Sequence, residues 1–121
     1  MLRPALPERH PRVIKAKLGL GHTLMEQGQH TEAERLLREV LNVRLARFGP
    51  SDGRAAEAQM ALARCLVGQA QYAEAEPLLL AAHTTTNDQF GPTHPMTRRA
   101  RRSLVTFYDT WNRPERAAAF R

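Results

Sequence analysis

The sequence predicts an all-α chain of about six helices stacked as antiparallel pairs, and three observations predict it. The chain repeats itself at an offset of 42 residues, as from Gly49 to Gly91. Within each copy the apolar residues recur at helical spacing, and no segment alternates apolar and polar residues as a half-buried strand does. A fixed period of this size marks a unit that buries its apolar face only by stacking on its neighbours, a solenoid.

At that offset Gly49-Pro50 falls on Gly91-Pro92 and Phe48 on Phe90. Leu20 falls on Leu62 and Leu104, and Leu24 on Leu66 and Tyr108. Gln29, Glu32, Ala33, Glu34, Leu36 and Leu37 fall on Gln71, Glu74, Ala75, Glu76, Leu78 and Leu79. The third copy is shorter and looser, yet Ala117 falls on Ala75, and His10-Pro11 lies two periods before His94-Pro95.

The first copy opens with Val13, Lys17, Leu20 and Leu24, flanked by Ile14, Leu18, Gly21 and Met25. They form a broad apolar helix face with Lys17 at its edge. Gly28-Gln29 interrupts it as a helix stop does. A second run places Ala33, Leu36, Leu37, Val40, Leu41 and Phe48 on one side, and Gly49-Pro50-Ser51-Asp52 ends it, with Asp52 able to cap the next helix. The second copy repeats the scheme through Leu62, Ala63 and Leu66, a break near Gln69-Ala70, and Ala75, Leu78, Leu79 and Ala82. In the third, Ala100, Leu104, Phe107, Tyr108 and Trp111 share a face before Asn112-Arg113-Pro114 and a short last helix. The expected helices are 11–27, 30–48, 52–69, 72–88, 94–111 and 114–120. Gly21, Ala63, Ala33, Ala75 and Ala117 are read as small because paired helices cross closely there. Residues 1–9 are expected to be a flexible N-terminal segment, and 10–121 one domain with repeats at about 10–50, 51–92 and 93–121.

The 121 residues carry a net charge of +6, and Lys15 and Lys17 are the only lysines, so arginine supplies nearly all the positive charge. Such a balance favours acidic partners, although GC-rich codon usage produces the same excess. The longest apolar runs, such as Leu78-Leu79-Leu80-Ala81-Ala82, are far too short to span a bilayer, and no membrane is expected. The first residues lack the apolar core of a secretion signal, and a single cysteine, Cys65, excludes an internal disulfide framework. Both lead to the expectation of a cytoplasmic address.

No arrangement of residues points to catalysis, a cofactor or a metal. The five histidines show no His-x3-His or His/Cys pairing of the kind zinc sites use, and His10 and His94 lie at equivalent helix starts two repeats apart. They read as capping or solvated groups. Cys65 reads as a small, partly buried hydrophobe. Glu32, Glu34, Glu74 and Glu76 read as acidic residues in the first turn of each second helix, where they meet the positive end of the helix dipole. The most suggestive cluster is Arg98, Arg99, Arg101 and Arg102, which covers one broad arc of the fifth helix opposite Leu104, Phe107 and Trp111, with Arg101 at the boundary. It is either a solvated face or part of an electropositive groove.

Leu20-Gly21-x-x-Leu24, Gly28, Ala33 and Leu37 together resemble the tetratricopeptide repeat. The 42-residue spacing, Tyr72-Ala73-Glu74-Ala75-Glu76-Pro77-Leu78-Leu79 and Phe90-Gly91-Pro92-Thr93-His94-Pro95 are similar to its kinesin-light-chain-like variety. The resemblance covers residues 10 to 121 and implies a right-handed superhelical stack. Asp52-Gly53 departs from His-Pro in the second connector, and Pro114 stands where an aromatic is usual, which suggests an altered, terminal third pair. The ending, from Leu104 through Tyr108 and Trp111 to Pro114-Glu115-Arg116-Ala117, resembles the repeat tail of bacterial serine/threonine kinases, but none of the kinase motifs is present.

The resemblance also implies a site. Such repeats bind peptides on a concave surface lined by the first helix of each pair. The matching positions are Lys15, Leu18, His22 and Met25, then Glu57, Met60, Arg64 and Val67, then Arg99, Arg102 and Thr106. Cations at both ends and methionines between them suit a protein segment with acidic residues flanking an apolar anchor. The asparagine of the carboxylate clamp that binds chaperone tails is missing from this lining. The expected function is therefore a non-catalytic protein-interaction module, the alternative a basic helical-repeat RNA-binding protein. Against the alternative, Phe48, Phe90, Phe107 and Trp111 fall on positions read as buried, leaving few rings for bases. Self-association through an uncapped repeat end can accompany either.

Overall fold

The computed structural model describes residues 9–121, and the expected flexible segment lies outside the described residues except for Arg9. Six helices follow in order among the described residues: α1 (Pro11–Glu26), α2 (His30–Phe48), α3 (Gly53–Gly68), α4 (Tyr72–Phe90), α5 (Pro95–Thr110) and α6 (Pro114–Ala118). Among the described residues there is no strand, and the helix bounds agree with the sequence expectation to within about two residues.

Each first helix starts with the same device. The His10 Nδ1 accepts the Arg12 N–H at 3.1 Å, the Asp52 carboxylate accepts the Arg54 N–H at 2.8 Å, and the His94 Nδ1 accepts the Met96 N–H at 3.1 Å. Asp52 thus replaces histidine without loss of the cap. It also chelates the Arg54 guanidinium, which holds its carboxyl down at about 2. At Gly53, in the proline position, a Cβ would lie 2.8 Å from the Phe90 ring, so that exposed ring would have to shift to admit a side chain.

The turn inside each pair also recurs. Gly28, Ala70 and Asn112, one period apart, are all left-handed, with φ of 77°, 58° and 58°. The residue after each closes a bond to a first-helix carbonyl: Gln29 to Leu24 at 2.8 Å, Gln71 to Leu66 at 2.9 Å and Arg113 to Tyr108 at 2.8 Å. A Cβ is disfavoured there, glycine and then asparagine being best tolerated, yet only the first copy has glycine and the second carries alanine.

Close crossing accounts for the small residues as expected. Ala33, Ala75, Ala117 and Ala63 are fully buried, and a Cβ on Gly21 would meet Leu37 Cδ2 at 2.7 Å. One core runs through all three pairs, with α2 against α3 and α4 against α5 on one side, and α1, α3 and α5 in succession on the other. In the third pair α6 has 5 residues, where α2 and α4 have 19.

Two expectations need correction. Leu20 is not core: it is 49% exposed, whereas its equivalents Leu62 and Leu104 are 1% and 0% exposed. Each of those is covered by the preceding pair, and α1 has none before it among the described residues. The acidic residues also do more than meet helix dipoles. Glu32 and Glu74 lie in the first turn, but Glu34 and Glu76 lie beyond it and bind the next repeat. Glu34 accepts from Gln69 at 2.8 Å and from Arg38, which also pairs with Glu74. Glu76 accepts from the Tyr108 hydroxyl at 2.7 Å and from Arg116 at 2.9 Å. Burial and the Glu76 charge push the Tyr108 hydroxyl up to about 12.

Candidate partner-binding groove

The succession of α1, α3 and α5 forms one face of the stack, and a concavity lies between α3 and α5. A groove of about 530 Å³ is lined by Arg64, Val67 and Gly68 of α3, Leu79 of α4, and Arg99, Arg102, Ser103, Thr106, Phe107 and Thr110 of α5. The floor is apolar, supplied by Val67, Leu79 and Phe107. The rim is cationic. Arg64, Arg99 and Arg102 are exposed, and none forms an ion pair among the described residues. Among the described residues no carboxylate lines this space.

Five positions implied by the family resemblance meet here: Arg64, Val67, Arg99, Arg102 and Thr106. His22 lies on the same face, where burial first and then the charges of Arg64 and Arg99 hold its imidazole below the ordinary histidine range. Glu57 and Glu26 act on it in the opposite sense. Glu57 itself pairs with Arg44 at 2.7 Å, so its charge is already compensated. Lys15 is exposed but lines a separate cleft with Arg9, Arg47, Phe48 and Arg54. Met25 is half-buried against the core. Leu18 and Met60, expected to present apolar anchors to a partner, are 7% and 3% exposed and belong to the core. The α1–α3 packing takes them in, leaving little of either for contact.

Residues that the sequence reading missed complete the groove. Ser103, Phe107 and Thr110 join Thr106 on one stripe of α5, a spacing of three, four and seven residues that could have been read from the helix alone. Leu79 belongs to a second helix and could not have been placed that way.

The aromatic rings also need correction. Phe107 is buried as expected, but Phe90 is 38% exposed and stacks on His94 at 4.3 Å between centroids. Phe48 is half-buried, with the Arg54 guanidinium 3.5 Å above its ring, and half-buried Trp111 stacks on Tyr72 at 5.8 Å. Phe48 and Phe90 end their helices at the connectors and pack onto the next helix start rather than into the interior.

Cys65 is buried and its thiol donates to the His30 carbonyl at 3.1 Å; burial pushes its pKa up, which disfavours the nucleophilic thiolate. Among the described residues no group of three or more His, Cys, Asp or Glu is placed to hold a metal. No described helix is long and apolar enough to cross a membrane.

The sequence matches the tetratricopeptide repeat family over residues 12–85 and again over 55–120. No curated protein matches it in sequence. Among solved structures, a putative kinesin light chain of Podosopora anserina with nearly identical TPR-like repeats is similar at a TM-score of 0.81 and 23% identity, over 95% of this chain and 54% of that one. BtubC (BKLC) from P. vanneervenii is similar at a TM-score of 0.76 and 19% identity, over 99% and 49%. The TPR domain of Arabidopsis FLU is similar at a TM-score of 0.73 and 18% identity, over 88% and 87%. The chain thus spans about half the length of the first two structures. At these identities the likeness is one of fold.

Proposed function

The chain belongs to the tetratricopeptide repeat family, and from that premise we propose that its α3–α5 groove binds a segment of a partner protein in which acidic residues flank an apolar anchor. Repeats of this kind generally serve as non-catalytic protein-interaction scaffolds, and a rigid stack presents a preformed surface with little ordering cost. The observation that carries the reading is the groove itself: an apolar floor under three arginines that no carboxylate neutralises. The floor takes the anchor, and the arginines steer the acidic flanks. We place the module in the cytoplasm, as part of a bacterial signalling protein; the second half of that placement is supported by the resemblance of residues 104–117 to the repeat tails of bacterial kinases.

The test is affinity capture with mass spectrometry, comparing the wild type with Arg99→Glu plus Arg102→Glu, both checked for native helicity. Partners that the double variant loses support the groove; recovery of the same partners by both proteins overturns it. RNA binding is not favoured, because the rings that would stack on bases are buried or already covered by Arg54, His94 and Tyr72. Self-association has its own supporting observation, the open α1 face around Leu20. Sedimentation of the wild type against Leu20→Glu tests it, and a monomer at all concentrations removes it.

A further inference from the structure

We propose that the arginines lining the groove form a phosphate-recognition site, which takes one phosphorylated side chain of the partner segment in preference to carboxylates. The inference rests on the reading of the groove as a peptide-binding surface, and concerns what the cationic rim selects.

Three guanidinium groups from two helices, Arg64 of α3 with Arg99 and Arg102 of α5, line one concavity of about 530 Å³. The protein neutralises several arginines, Arg44 by Glu57, Arg54 by Asp52, and Arg38 by Glu34 and Glu74, and leaves others such as Arg12, Arg47 and Arg98 unpaired among the described residues. What sets Arg64, Arg99 and Arg102 apart is that all three line one groove with an apolar floor. They lie without a carboxylate among the described residues, in a space whose apolar walls strengthen their field.

A single carboxylate brings one negative charge and leaves two of the three guanidinium groups uncompensated. Two carboxylates on the same side of an extended segment stand about 7 Å apart, because side chains alternate along it, and so diverge rather than meet in one pocket. A phosphoryl group concentrates a charge of about −1.5 to −2 and three acceptor oxygens at one point. Arginine is the cation suited to that group, since its planar fork gives paired hydrogen bonds that lysine cannot form. Ser103 and Thr106 line the same space, and their hydroxyls can donate to oxygens the arginines leave free, whereas the Thr110 hydroxyl already donates to the Thr106 carbonyl at 2.8 Å.

The test uses fluorescein-labelled degenerate peptide libraries that differ only in a fixed central residue: phosphoserine, phosphotyrosine, glutamate, serine or tyrosine. Binding to the full chain is followed by fluorescence anisotropy. At least one phosphorylated library is expected to bind about tenfold or more tighter than the glutamate library. Arg64→Gln, Arg99→Gln and Arg102→Gln, all at exposed positions, are each expected to remove most of that advantage. The advantage should also fade as pH drops through about 6, where the phosphoryl group loses its second charge.

Equal binding of the glutamate and phosphorylated libraries overturns phosphate selection and leaves the peptide groove standing. A phosphate preference that survives in all three arginine variants overturns the assignment to this site. No binding of any library to folded protein overturns this inference, and the groove reading with it.

Discussion

The two steps of the inner face, α1 to α3 and α3 to α5, share one scaffold and differ in chemistry. In the first step Leu18 and Met60 sink into the core, His22 lies among charges of both signs, and Glu57 is tied to Arg44. In the second step the equivalent positions open into a groove whose three arginines have no acidic counterpart in the lining. The backbone devices do not change between steps: the side-chain caps at 10, 52 and 94, the left-handed residues at 28, 70 and 112, and the alanines at 33, 75 and 117. Repetition therefore preserves what stacking requires, and binding character resides where the copies diverge.

The most disruptive way to break the comparison is to attack the shared scaffold. Ala33→Leu and Ala75→Leu force a large side chain into fully buried crossings, and each is expected to cost about 3 kcal/mol, the upper end for overpacking. Urea denaturation followed by circular dichroism measures it. A loss below about 1 kcal/mol at either position shows that close crossing is not what holds the pair.

Next in size is the difference between the steps. Arg99→Glu plus Arg102→Glu should weaken partner binding at least about tenfold with little change in stability, because both side chains are exposed and unpaired. Lys15→Glu, at the position corresponding to Arg99 two repeats earlier, should leave binding nearly unchanged. Equal effects of the two variants in a titration would show that the partner spans the whole inner face.

A smaller effect tests the turn at 28, 70 and 112. Ala70→Gly should stabilise the chain by about 1 kcal/mol, since alanine is strained at φ 58°, and Gly28→Ala should destabilise it by a similar amount. Opposite signs in paired denaturation curves confirm that one conformation is imposed on three different residues.

The smallest effect comes from His22, on the seam between the steps. Its folded pKa is lowered by burial, Arg64 and Arg99, so the unfolded chain binds the proton more readily. Stability should therefore fall as pH drops below the ordinary histidine value of 6.5, and be unaffected by this group above it. His83, lowered by burial and Arg101, adds in the same sense. His22→Gln should flatten the profile; an unchanged slope would place the acid sensitivity elsewhere.

By itself the sequence determined the six helices, their caps and the small residues at the crossings. Each of these follows from local spacing or from an identity that recurs at 42 residues. The arginine lining of the groove was legible in part, because Arg99 and Arg102 share a helix face with Thr106, whereas Leu79 was not, because it comes from another helix. Burial was decided only by the tertiary structure. Leu20, Leu62 and Leu104 look alike in the sequence, but burial depends on whether a neighbouring pair covers the side chain. Leu18 and Met60 were lost to the core, and Arg64 converged with Arg99 and Arg102, for a related reason. Distances between residues tens of positions apart are set by how helix pairs pack on one another, which local periodicity does not encode.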